Sequence, residues 1–294
     1  MEKTKRNICF IINPVSGVRR KDMLGQYIQH HLDQDQYKPD IQYTKKPGDA
    51  ITLAEAAVRD NFDIVVAAGG DGTINEVSRA LTGTKTTLGV IPLGSGNGLA
   101  HHLKIPNNPV SAIQLINKGK EKMIDTVNVN NTMYVSIAGI GFDAKVAGKF
   151  ARSDKRGFLS YFRIVSQEYT FYKEKKYSFT IDGKTYKRKA LLISFANSNQ
   201  FGYHTTIAPG AKLDDGLIDV CIVKKVPLIE LPVVAHLLYW NQIDKSRHVE
   251  IIRAKEVILE QKKNRNINLD GEPVKLGKKL HFKINPLSLK ILIP

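Results

Sequence analysis

The chain has 294 residues, two cysteines and a net charge of +16. It is long enough for two domains and can bury ample core without disulfides, which excludes the small disulfide-stapled class. The charge points to an anionic partner, whether nucleotide phosphates, nucleic acid or an acidic membrane surface; residues 121–294, with 29 Lys+Arg against 17 Asp+Glu, carry most of it.

Residues 8–12 read as a buried strand containing Cys9, and Asn13-Pro14-Val15-Ser16-Gly17 as the turn that follows, leading into a helix from about Lys21 to Leu32. Lys3, Lys5 and Arg6 precede that apolar run, but it breaks at Asn13-Pro14, too early for a secretory h-region. Ile41 to Thr44 is a short second strand, and Asp49 is a plausible N-cap for a helix beginning at Ala50.

Next comes the apolar run Asp63-Ile64-Val65-Val66, then Ala67-Ala68-Gly69-Gly70-Asp71-Gly72-Thr73-Ile74-Asn75-Glu76. This is a strand, a glycine-rich turn and a helix start, a geometry whose backbone N–H groups can approach a phosphate. A carboxylate there would repel bare phosphate, so Asp71 is read either as a metal-holding or proton-accepting group or as the cap of a tight turn. Thr87 to Ile91 forms the next strand, followed by Pro92-Leu93-Gly94-Ser95-Gly96-Asn97-Gly98. Neither glycine loop continues as Gly-Lys-Ser/Thr, so a Walker A reading fails, and Leu99 stands where a dinucleotide fingerprint needs its third glycine. Strand and helix alternate four times, which implies an α/β, doubly wound parallel sheet with ligands outside the carboxyl ends of its strands.

After about Lys122 the pattern becomes mostly β, with helical inserts near Lys145 to Lys173 and Leu228 to Tyr239. The expected domains are 1–121 and 122–294, with the final strand, about 287–294, able to return to the first. Cys221 lies in another strand-like run, and both cysteines are expected as buried thiols of a cytoplasmic protein. Leu228 to Trp240 is interrupted by Glu230, Pro232 and His236 and is too short to span a bilayer; a core helix is the expectation. His30-His31 and His101-His102 point to different faces of a helix and are not read as metal ligands. Residues 141–189 hold 13 Lys/Arg against 5 Asp/Glu, Lys149, Arg152, Lys155 and Arg156 among them, and are read as a face that docks reversibly on an anionic membrane.

Taken in order, Asn13-Pro14-x-Ser16-Gly17, Gly69-Gly70-Asp71-Gly72-Thr73-x-Asn75-Glu76, Pro92-x-Gly94-Ser95-Gly96-Asn97 and Leu269-Asp270-Gly271-Glu272 resemble the diacylglycerol kinase catalytic-domain family. That family includes bacterial diacylglycerol/lipid kinases and is related to sphingosine and ceramide kinases. The resemblance implies an N-terminal nucleotide-binding domain, a C-terminal β-sandwich, and an active site in the cleft between them. It implies ATP contacts from Asn13 to Gly17, Thr44, Gly69 to Asn75 (Gly69, Gly70, Asp71, Gly72, Thr73, Ile74, Asn75) and Gly94, Ser95, Gly96 and Asn97. Glu272 matches the family's proton acceptor, with Asp270 beside it, whereas the sphingosine-kinase branch gives base or metal duty to the position of Asp71. Asp215 by its carboxylate, with Lys212 and Leu217 by their carbonyls, resembles a bacterial structural metal loop. Gly94-Ser95-Gly96-Asn97 is nearer the sphingosine-kinase branch, which leaves the acceptor lipid open.

The implied function is transfer of the γ-phosphate of ATP, with Mg2+, to the hydroxyl of a membrane lipid, diacylglycerol or sphingoid in type, by a peripherally membrane-associated enzyme. A homodimer is left open. An NAD kinase-like phosphotransferase shares the Gly-Gly-Asp-Gly loop but not the flanking turns. A nucleic-acid-binding module would give Asp71 and Glu272 no task, because acidic groups weaken phosphate binding unless a metal intervenes.

Overall fold

Apolar, β-branched runs alternating with amphipathic helices build the first part of the chain. The computed structural model describes residues 5–15, 23–153, 157–200 and 205–294. The chain divides into two units, one running to Ile124 and rejoined by Leu287–Pro294, the other Asp125–Pro286.

In the first unit, strands β1 (Arg6–Ile12), β2 (Tyr37–Tyr43), β3 (Ile64–Gly69) and β4 (Thr87–Pro92) pair in parallel in the order β2-β1-β3-β4. The last residues of the chain add a further parallel strand, with Ile291 opposite Leu88. Helices α1 (Leu24–His31), α2 (Asp49–Arg59) and α3 (Asp71–Leu81) fill the crossovers that parallel strands require, and α4 (Gly98–His102) and α5 (Pro109–Lys118) follow β4. β3 and β4 are buried at every residue, as expected of a sheet covered on both faces. α3 explains its own packing: Ile74, Val77, Ser78 and Leu81 recur at helical spacing and are the buried side. The turns at Asn13, Gly70 and Gly94 all follow carboxyl ends of strands, where the sheet pattern places ligands.

The second unit is a sandwich of two antiparallel sheets. Its strands are β5 (Lys120–Val129), which enters from the first unit, β6 (Thr132–Tyr134), β7 (Ile137–Gly141), β8 (Lys175–Ile181), β9 (Lys184–Ala190), β10 (Leu192–Ala196), β11 (Ile218–Val223), β12 (Val249–Ala254), β13 (Glu256–Glu260), β14 (Ile267–Leu269), β15 (Glu272–Val274) and β16 (Lys279–Ile293), whose last residues are the strand that pairs with β4 in the first unit. One sheet runs β12-β11-β10-β7-β14-β15; the other contains β16-β13-β8-β9, with β5 pairing β16 and β6. Alternate residues point inward and form one core, in which Phe195 from the first sheet stacks on Phe282 from the second at 3.9 Å between ring centroids. Removing either ring would cost about 3–5 kcal/mol.

Helix α6 (Phe142–Ala151) packs against α7 (Phe158–Phe171) through a cluster around Phe142, Val146, Tyr172 and Leu191. Helix α8 (Leu231–Tyr239) behaves otherwise. The sequence suggested a core helix, yet α8 has no buried residue, and Ile229 (87% exposed), Val233, Tyr239 and Trp240 all face solvent. The run is apolar on nearly every side, so no choice of face could hide it. Cys9 and Cys221 are both buried free thiols; burial beside Asp40 pushes the Cys9 thiol up to about 12. No described helix is long and apolar enough to cross a membrane.

Candidate active site

The glycine loops of the first unit are fitted to each other. A Cβ on Gly94 would stand 2.6 Å from the Gly70 Cα, one on Gly69 2.4 Å from Thr73 Oγ1, and one on Gly96 2.7 Å from Asp71 Oδ2. The loops after β3 and β4 therefore close on one another only because these positions lack side chains. Asn97, in the left-handed region at φ 53, seals the second loop: its Oδ1 accepts from Gly94 N–H at 3.1 Å and its Nδ2 donates to Gly94 O at 2.7 Å. Asn13 joins from β1, donating through Nδ2 to Thr73 Oγ1 at 3.1 Å and accepting Val15 N–H on Oδ1.

Asp71 fastens the pair. Its Oδ2 accepts Asn97 N–H and its Oδ1 accepts Gly98 N–H, both at 2.8 Å, so the carboxylate caps α4 from a neighbouring loop. The capping reading thus has a geometric counterpart, in a partner the sequence could not supply. α3 itself starts without a side-chain cap, the arrangement of a helix N-terminus that an anion can occupy. Glu76 accepts Gly48 N–H and Ala50 N–H and so orients α2. Thr44, buried after β2, donates its N–H to Ile12 O, and Ile74 lies in the core. Gly70, Gly72 and Asn75 are half-buried, while Pro14 and Ser95 are exposed. Ser16 and Gly17 lie outside the described residues, as do Lys155 and Arg156.

In the second unit, Asp270 sits in the turn between β14 and β15 with φ 46, followed by Gly271 at φ 91. Its buried carboxylate accepts three backbone N–H groups, from Val135, Ser136 and Ile137, each at 2.9 Å. Asn197 and Ser198, fully buried, complete this corner by donating their N–H groups to Ser136 O. Sequence reading passed over both, since an Asn-Ser pair after a strand is ordinary turn composition. Glu272 differs: it opens β15 and is exposed. Nearby, Asp143 on α6 is buried with Asn268 as a donor at 3.0 Å, and burial pushes its carboxyl up to about 6.

The loop containing Lys212, Asp215 and Leu217 is held by Asp125, whose Oδ2 accepts Gly216 N–H at 2.8 Å, and by Asp215 Oδ1 accepting Leu217 N–H at 3.1 Å. The ligands implied by the resemblance, one carboxylate and two carbonyls, would be an all-oxygen set of the kind hard cations take. Among the described residues, no three His, Cys, Asp or Glu gather as a metal cluster.

Similarity to known proteins agrees with this arrangement. Residues 7–129 match the diacylglycerol kinase catalytic domain, and residues 136–293 match the YegS C-terminal NAD kinase beta sandwich-like domain. The chain is 31% identical to a diacylglycerol kinase of Bacillus subtilis (strain 168) over 268 residues, 89% of this chain and 88% of that protein. The chain belongs to the diacylglycerol kinase catalytic-domain family. A diacylglycerol kinase of Staphylococcus aureus (strain bovine RF122 / ET3-1) is 30% identical, covering 89% of this chain and 84% of that one. A crystal structure of a diacylglycerol kinase from Bacillus anthracis str. Sterne shares the fold, with a TM-score of 0.76 at 20% identity over 99% of this chain and 98% of that one. The protein is therefore an enzyme, a kinase with an alcohol group as acceptor.

Proposed function

We propose that this kinase transfers the γ-phosphate of ATP to the hydroxyl of a membrane lipid, with diacylglycerol as the first acceptor to test and a sphingoid base as the second. The contrast among three carboxylates carries the reading. Asp71 and Asp270 have their oxygens engaged by backbone N–H groups, whereas Glu272 is exposed. A carboxylate whose lone pairs are held by fixed backbone donors fastens the chain where it sits. Glu272 takes the position that the family resemblance gives to the proton acceptor: the acceptor oxygen attacks the γ-phosphorus, the bond to ADP breaks, and the hydroxyl proton passes to the Glu272 carboxylate.

Asp71 and Asp270 are positioning residues here. The loops from Asn13, Gly69 and Gly94 offer backbone donors and the uncapped N-terminus of α3 to the ATP phosphates. Mg2+ supplies charge neutralisation on those phosphates when bound, and Asp215 with the Lys212 and Leu217 carbonyls is the candidate holder of a structural ion in the other unit.

The acceptor stays in its bilayer, so the enzyme works at a membrane surface. Exposed Leu228, Ile229, Val233, Tyr239 and Trp240 in and before α8 support this, since apolar and aromatic groups with polar tips partition to the lipid–water boundary. The test is Mg-ATP with vesicles containing diacylglycerol, against sphingosine and NAD as alternative acceptors, with products identified by mass spectrometry. A phosphorylated lipid is expected. Phosphorylated NAD with no lipid product would overturn the reading in favour of the NAD kinase-like alternative suggested by the sandwich domain's own relatives.

A further inference from the structure

The second unit contains a cavity of about 690 Å³ that uses none of the residues assigned to phosphoryl transfer. Its walls come from α6, β8, the segment between β13 and β14, and the residue after β15. Eight lysine and arginine side chains line it against one carboxylate, Glu260. Lys145, Lys149 and Arg152 recur at helical spacing at α6 and its end; Lys175 and Lys176 open β8; Lys262, Arg265 and Lys275 arrive from far later in the chain. Only the sheet order brings these groups together.

The charge is poorly answered. Lys145 and Lys149 share Glu168, but Lys175, Lys176, Lys262, Arg265 and Lys275 make no ion pair among the described residues. Lys175 Nζ lies 4.7 Å and Lys145 Nζ 5.4 Å from the same Tyr172 ring, which draws two ammonium groups onto one aromatic side chain. Burial first, and then the charges of Arg265 and Lys145, lower the Lys175 ammonium from its ordinary range, the signature of cations facing one another.

A second observation is independent of charge. Gln261 has a buried Nε2 with no hydrogen-bond partner among the described residues, and Tyr172, 95% buried, turns its hydroxyl toward that of Tyr177. All three residues line the cavity. A buried donor left unmade costs free energy and is uncommon in native proteins, so a turn of the Gln261 amide toward a ligand's acceptor atoms would gain a hydrogen bond.

We propose that this cavity is a binding site for a phosphorylated group of headgroup size, a phosphate monoester with the organic part attached to it. Two guanidinium and six ammonium groups match a dianion with several acceptor oxygens, and the volume falls in the range of small-molecule sites. The same chemistry is carried by a lipid such as phosphatidic acid and by a soluble ester such as glycerol 3-phosphate. A diffuse basic face would attract any anion through its total charge; a built site depends on particular side chains.

The experiment titrates the full-length protein with glycerol 3-phosphate by calorimetry and with phosphatidylcholine vesicles, plain or containing 10 mol% phosphatidic acid, by co-sedimentation. Lys175→Gln/Arg265→Gln removes two cavity cations; Lys184→Gln/Lys187→Gln removes two from β9, outside the cavity, as a charge-matched control. Saturable binding to at least one phosphate-bearing probe is expected, weakened at least tenfold in the cavity variant and less than twofold in the control. Binding of glycerol 3-phosphate would assign a soluble source; binding confined to phosphatidic acid vesicles would assign a lipid source. Melting temperatures verify folding, and Lys262→Gln/Lys275→Gln serves as a second cavity variant with the same expected loss. Equal losses in cavity and control variants, or no saturable binding of either probe, would overturn the proposal.

Discussion

The glycine loops of the first unit and the basic cavity of the second treat polar groups in opposite ways. In the loops, Asn97 answers Gly94, Asn13 answers Thr73, and both oxygens of Asp71 answer backbone donors, over contacts of 2.7 to 3.1 Å. In the cavity, eight cations meet one lining carboxylate, and the buried Gln261 Nε2 has no partner among the described residues. Where the chain answers its own polar groups, a substitution should damage the fold. Where it leaves them unanswered, a substitution should damage binding and spare the fold.

Asp270 gives the largest expected effect. Asp270→Ala orphans three buried N–H groups and should lower unfolding free energy by about 3–5 kcal/mol in urea titrations. A loss under about 1 kcal/mol would break the comparison at its strongest point.

Asp143 is the intermediate case, a buried carboxyl with Asn268 as its donor and a folded pKa of about 6 against an ordinary 3.8. Between those values the folded protein keeps a proton that the unfolded chain releases, so stability should fall as pH rises from about 4 to about 6 and then level off. Asp143→Asn should remove that slope and be the more stable protein above pH 6, by up to about 3 kcal/mol. Urea unfolding across pH 4 to 7.5 reads the sign directly.

Asp71→Ala should cost about 2 kcal/mol, because two charge-assisted bonds to backbone donors are lost at a half-buried site. An unchanged midpoint would mean that the loops hold together without it. Smallest of all, Lys175→Gln should shift stability by less than about 0.5 kcal/mol, and upward if at all, since it relieves repulsion from Arg265 and Lys145.

These residues also mark how far the sequence could be read. The parallel sheet was legible because β3 and β4 are almost wholly apolar and each is followed by a glycine turn opening a helix. The sandwich was legible as alternating strands. What Asp71 and Asp270 do was not, because their partners lie 26 and more than 130 residues away and are backbone N–H groups, which no side-chain pattern announces. The exposure of α8 was hidden for a related reason: an apolar run looks the same whether protein or another phase covers it. Composition revealed the basic stretch 141–189, but Lys262, Arg265 and Lys275 join it only through strand order.

The most direct test of the account is Glu272→Gln, assayed for phosphorylation of diacylglycerol in vesicles at saturating ATP and lipid, with melting temperature and ATP affinity measured on the same preparation. The account predicts a fall in kcat of about 100-fold or more with the other two quantities unaltered. Activity above about a tenth of wild type, or a loss confined to ATP affinity, would contradict it.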